Sequence, residues 1–263
     1  MDTKELHRSV RAELRGLPKD LAEIVAAHLV MAGQLIEDDP ELAYAHAEAA
    51  RRRAARLPIV REAAAETAYA AGHYDVALGE FRALRRMTGT HDYLPVMADC
   101  ERALGRPQAA LKLAKEATRY SLDPSQQIEM VIVQAGARRD LGQEAEALRI
   151  LLSAIESLTA GGEAARIPMA RLRYAYADVL AALGREADAR SWFLAAARLD
   201  HEGETDAAAR VDQIDGLVID FDDSEEKSDV DEGLKTEDDP GGDEGGSHAE
   251  RHGRSEPWID EER

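Results

Sequence analysis

Ala98-Asp99-Cys100-Glu101-Arg102-Ala103-Leu104-Gly105-Arg106-Pro107-Gln108-Ala109-Ala110 decides how this 263-residue chain folds. An alanine is followed after seven residues by a glycine, a short polar turn, and a second alanine five residues beyond the glycine. The same residues stand at the same offsets in Ala65, Gly72 and Ala77, in Ala135, Gly142 and Ala147, and in Ala177, Gly184 and Ala189. The glycines lie 33, 37 and 42 residues apart. A period of that length is the signature of stacked helical hairpins, each too small to bury its own apolar face.

Local physics gives each unit its shape. Glycine adopts the positive φ that ends a helix, and Pro107 suits the first turn of the next, where its missing N–H costs nothing. Alanine favours helix and lets two helix backbones approach closely. No sustained alternation of β-branched residues suggests a strand. The pattern predicts an all-α, right-handed solenoid of helical hairpins.

These triplets resemble the tetratricopeptide repeat, whose small residues sit at repeat positions 8 and 20. The resemblance extends to a large residue in the second helix, here Phe81, Ala114, Leu151 and Phe193, and to Leu84, Ala117, Ala154 and Ala196 three positions later. It covers roughly residues 18–202; the family's early Trp and Tyr and its closing Pro are missing or displaced. A more divergent hairpin comes first, with the apolar run Leu21–Ile36, the turn Glu37-Asp38-Asp39-Pro40, and Ala43, Ala47 and Ala50 on one helical face. That run is too short and too polar to span a membrane. Leu6, Val10 and Leu14 predict an N-terminal helix within residues 1–17.

Charge divides the chain. Residues 203–263 hold 22 acidic and 6 basic side chains, so −16 of the net −19 lies there. The solenoid, residues 18–202, is nearly balanced. We expect 203–216 to form a capping helix, with Thr205 as N-cap, Ala208, Val211 and Ile214 facing inward, and Gly216 ending it. The acidic stretch 217–263 is expected to be largely disordered. Within it, Leu217-Val218-Ile219-Asp220-Phe221 reads either as an extension of the cap or as a linear docking motif, and Trp258 as a second anchor.

Little here suggests chemistry. The single cysteine, Cys100, lies between Asp99 and Glu101 and reads as a packed thiol. The eight histidines show no metal-ligand spacing; His7, His28, His46, His73 and His91 read as single residues, and His248 and His252 as a solvated pair. No phosphate loop, nucleophile elbow or kinase motif is present. The expectation is a protein with no catalytic residues, no metal and no cofactor. The N-terminus lacks a signal-peptide layout, so the expected location is the cytoplasm. An Arg:Lys ratio of 27 to 6 with abundant Ala suggests a high-GC bacterial source.

What the resemblance implies about binding is specific. It places four positions of each first helix on a concave wall: Ile59, Glu62, Glu66 and Tyr69, then Asp92, Pro95, Asp99 and Arg102. The next sets are Glu129, Ile132, Gly136 and Arg139, then Arg171, Tyr174, Asp178 and Ala181. The Lys and Asn with which some members grip a peptide carboxylate are absent. The candidate partner-binding residues are Glu62, Glu66, Tyr69, Asp99, Arg102, Arg139, Arg171, Tyr174 and Asp178. The leading expectation is a protein-interaction scaffold for a peptide or protein partner. The alternative is a nucleic-acid-linked regulator, by RNA binding on the repeats or mimicry by the acidic tail; direct nucleic-acid binding is opposed by the net charge of −19. The tail could also reach back to Arg102, Arg139 and Arg171.

Overall fold

The repeat glycines set the punctuation. Gly72, Gly105, Gly142 and Gly184 all have φ between 70° and 76°. The residue after each donates its N–H to the carbonyl five back, at 2.8–3.0 Å, and the glycine N–H bonds three back at 2.8–3.0 Å. This double closure satisfies two of the carbonyls a helix end leaves bare. One sequence device thus produces four identical helix stops.

A computed structural model describes residues 6–158 and 165–217, and among these every regular element is a helix. Five hairpins pair α2 (Lys19–Leu35) with α3 (Pro40–Ala54), α4 (Pro58–Ala70) with α5 (Tyr74–Thr88), and α6 (Leu94–Ala103) with α7 (Pro107–Ala117). The last two are α8 (Pro124–Arg139) with α9 (Glu144–Ser157), and α10 (Arg166–Ala182) with α11 (Glu186–Ala197). α1 (Arg8–Leu14) and α12 (Ala207–Ile214) flank them. Proline occupies the first turn of α3, α4, α6, α7 and α8. Asp39 caps α3 through the Leu42 N–H at 3.0 Å, and Asp123 with Gln126 forms a reciprocal capping box on α8.

Each helix packs on its sequence neighbour, and α6, α8 and α10 also lie side by side. All eight repeat alanines, Ala65, Ala77, Ala98, Ala110, Ala135, Ala147, Ala177 and Ala189, are buried. Phe81, Leu151 and Phe193 fill the spaces between hairpins, while Ala114 takes that place in the third hairpin. The apolar core is a row of clusters running from Leu14 and Val25 to Phe193 and Val211, as expected of units that contact only their neighbours. On the outer side, Glu101 is buried between Arg82 at 2.5 Å and Arg106 at 3.4 Å and so ties α5 to α6.

The C-terminal end differs in detail from the sequence expectation. Asp206, not Thr205, stands at the N-cap of α12. The Thr205 hydroxyl and N–H both donate to Asp200, each at 2.6 Å, which closes the preceding loop. Val211 and Ile214 face inward as expected, but Ala207 and not Ala208 is the buried residue of the first turn. Gly216 ends the helix with φ 73° and leaves Leu217 65% exposed. The remainder of the acidic segment, with Val218–Phe221 and Trp258, and the Gly161-Gly162 loop lie outside the described residues.

Candidate functional site

The first helices of the hairpins carry one polar wall. On α4, Glu62, Glu66 and Tyr69 recur at helical spacing. The Tyr69 hydroxyl donates to Asp99 of α6 at 2.5 Å, and the Tyr93 hydroxyl donates back to Glu62. These two bonds cross-link α4 and α6. Arg102 then donates to Asp99 at 3.0 Å and to Asp140, just beyond α8, at 2.8 Å. Its guanidinium lies flat on Gly136: a Cβ there would come within 2.9 Å of three of its atoms. The residues at the same place in the other three units, Glu66, Asp99 and Asp178, are acidic, and the missing side chain at Gly136 admits the arginine.

Further along, Arg171 of α10 pairs with Glu129 of α8 at 3.0 Å, and Arg139 of α8 with Asp178 of α10 at 2.6 Å. Arg210 of α12 reaches Asp178 at 3.6 Å and the Tyr174 hydroxyl at 3.5 Å, with its guanidinium 4.8 Å above the Phe193 ring. The wall is therefore laced laterally from one hairpin to the next.

Two adjoining hollows open along it. One, of about 510 Å³, is lined by Tyr69, Asp92, Asp99, Arg102, Glu129 and Arg171 over an apolar floor of Pro95, Val96, Ile132 and Val133. The second, of about 430 Å³, shares Arg102, Ile132 and Arg171, adds Gly136, Arg139, Tyr174 and Asp178, and ends at Glu204, Thr205 and Asp206. Seven of the nine candidate partner-binding residues, from Tyr69 to Asp178, thus line one continuous surface. Glu62 and Glu66 stand further along α4.

Among the described residues Glu66 has no partner of opposite charge. Water reaches it, yet the surrounding wall removes much of its bulk hydration. That desolvation, with the neighbouring Glu62 carboxylate, pushes its carboxyl up to about 7. Glu129 is also raised by burial, although Arg171 opposes the shift. The Tyr174 hydroxyl is raised to about 12 by burial and by its bond to Asp206. Cys100 is fully buried and its thiol pushed up to about 12, chiefly by burial and then by Asp99, so it is held as the unreactive thiol.

Sequence reasoning missed three parts of this surface. Asp140, Tyr93 and Arg210 lie outside the repeat positions used to find the groove, and nothing in their spacing marks them. It also took the histidines as single, whereas His28 and His46 face each other with Nδ1 atoms 3.0 Å apart across α2 and α3. Among the described residues no third ligand joins them, and no group of three metal-ligating side chains occurs.

No family model matches this chain, and no curated protein is significantly similar to it. Among the described residues no helix is long and apolar enough to cross a membrane.

Proposed function

We propose that this protein is a non-enzymatic interaction scaffold, a right-handed tetratricopeptide-like solenoid that binds an extended segment of a partner protein along its inner wall. The observation that carries the reading is the continuity of the two hollows, which run across α4, α6, α8 and α10 and join at Arg102, Ile132 and Arg171. A long open trough with an apolar floor and charged sides suits an extended chain better than a compact small molecule. Its arginines are spent in lateral ion pairs, and among the described residues no nucleophile stands beside a base along it. Binding of RNA on the same surface is disfavoured, because the carboxylates of Asp92, Asp99, Glu129 and Asp178 would face the phosphates.

A photo-reactive amino acid placed at Ile132, on the trough floor, tests the reading against one placed at Arg149 on the outer surface of α9. In extract of the source cell, the Ile132 probe should cross-link a defined protein that the Arg149 probe does not. Equal labelling from both sites, or labelling of nucleic acid from Ile132, would overturn it.

A further inference from the structure

We infer that the segment received by this trough is cationic, carrying a Lys or Arg side chain that seats against Glu62 and Glu66 while its apolar neighbours lie on Pro95, Val96, Ile132 and Val133. The inference rests on the trough being the binding surface, and it adds the partner's chemistry.

The argument is a charge account of the wall. Arg102, Arg139, Arg171 and Arg210 are its cations among the described residues, and each is engaged: Arg102 by Asp99 and Asp140, Arg171 by Glu129, and Arg139 and Arg210 by Asp178. An anionic segment would have to break those pairs before gaining anything. The acidic residues outnumber the basic ones. Glu62, Glu66 and Asp92 at one end and Glu204 and Asp206 at the other have no cation within ion-pair distance among the described residues. Glu62 is held by a neutral donor, Tyr93, and Asp92 by the Thr90 hydroxyl at 2.6 Å. Glu66 has neither, and it faces Glu62 on its own helix and Tyr93 at the start of α6.

Two like charges one helical turn apart repel, and a cation placed between them relieves that repulsion. A guanidinium or ammonium supplied by a partner would satisfy both carboxylates at once. Charge complementarity therefore assigns the trough to a basic partner.

The test is to pan a displayed library of random dodecapeptides on the full-length protein and measure the enriched peptides by fluorescence anisotropy at low and moderate salt. Enriched peptides should carry Lys or Arg beside an apolar residue. Their affinity should fall about tenfold in the Glu62→Gln, Glu66→Gln double variant and stay unchanged in Glu146→Gln, which alters an outer carboxylate. Cationic peptides that bind the double variant as tightly as the parent would overturn the inference, because the acidic tail or another face would be holding them. Neutral or acidic peptides that depend on Ile132 but not on Glu62 and Glu66 would overturn the cationic partner while leaving the trough as the binding surface. Peptides indifferent to both Ile132 and the glutamates would overturn both readings.

Discussion

At the scale of single residues, the glycines divide by conformation. Gly105 has φ 71°, where an L side chain is strained even though open space surrounds it. Gly79 sits on the exposed face of α5 in helical conformation, also with open space around it. Gly105→Ala should therefore lower stability by about 1–2 kcal/mol. Gly79→Ala should raise it by about 0.5–1 kcal/mol, since glycine is costly in a helix interior. Urea denaturation of the two variants checks the signs; like signs would contradict the helix-stop role. Glu66 makes a second residue-scale prediction. Its carboxyl holds a proton more tightly in the fold, at about 7, than in the unfolded chain, near 4.5. The folded state therefore loses stability as pH rises from about 4.5 to 7 and stays at the lower level above that. Glu66→Gln should melt higher than the parent at pH 8 and match it at pH 4.5. If the same substitution also weakens a cationic peptide, the glutamate is kept for binding at the expense of stability.

At the scale of helices, the crossings depend on side chains small enough to let backbones meet. Ala110 is 1% exposed where α7 lies on α6, in one buried cluster with Leu94 and Ala98 of that helix. Ala110→Leu should overpack that crossing and cost about 1–3 kcal/mol, whereas Gln108→Leu on the exposed side of α7 should stay within about 0.5 kcal/mol. Thermal melts of both variants decide it, and equal effects would mean that Ala110 is not a crossing contact. The first helices are joined differently on the inner side, by hydrogen bonds and ion pairs from Tyr69–Asp99 through Arg102–Asp140 to Arg139–Asp178. Those part-exposed pairs contribute modestly to stability, and their larger effect is to hold the wall in one register.

At the scale of the whole molecule, stability is passed from neighbour to neighbour along the stack. α12 covers the last hairpin with Ala207 and Val211 and binds it through the two-pronged Arg190–Asp215 pair at 2.5 Å. A chain ending after Gly203 should be less stable than one ending after Leu217 by about 2 kcal/mol or more, the scale of one buried aliphatic side chain with its neighbours. Hydrogen exchange should show the loss concentrated in α10 and α11, with α2 and α3 unchanged. Uniform loss along the chain would indicate one cooperative core in place of a row of coupled ones.

The four triplets by themselves determined the hairpins, because a left-handed glycine and a close helix crossing are short-range requirements that leave a fixed spacing in sequence. They also located most of the trough, since one face of each first helix must point inward once the hairpins stack. What only the tertiary structure decided is which charges on that wall are satisfied. Arg102, Arg139 and Arg171 read as available cations in sequence, yet their partners Asp140, Asp178 and Glu129 lie on the neighbouring hairpin. On α12 the sequence placed Val211 and Ile214 correctly but chose Ala208 over Ala207 for the first turn, because the two alanines are equally apolar and only packing on the last hairpin separates them. Pairing between units depends on the rise and rotation from one hairpin to the next. No single repeat encodes that step, so the excess of carboxylate along the trough becomes visible only when the units are stacked.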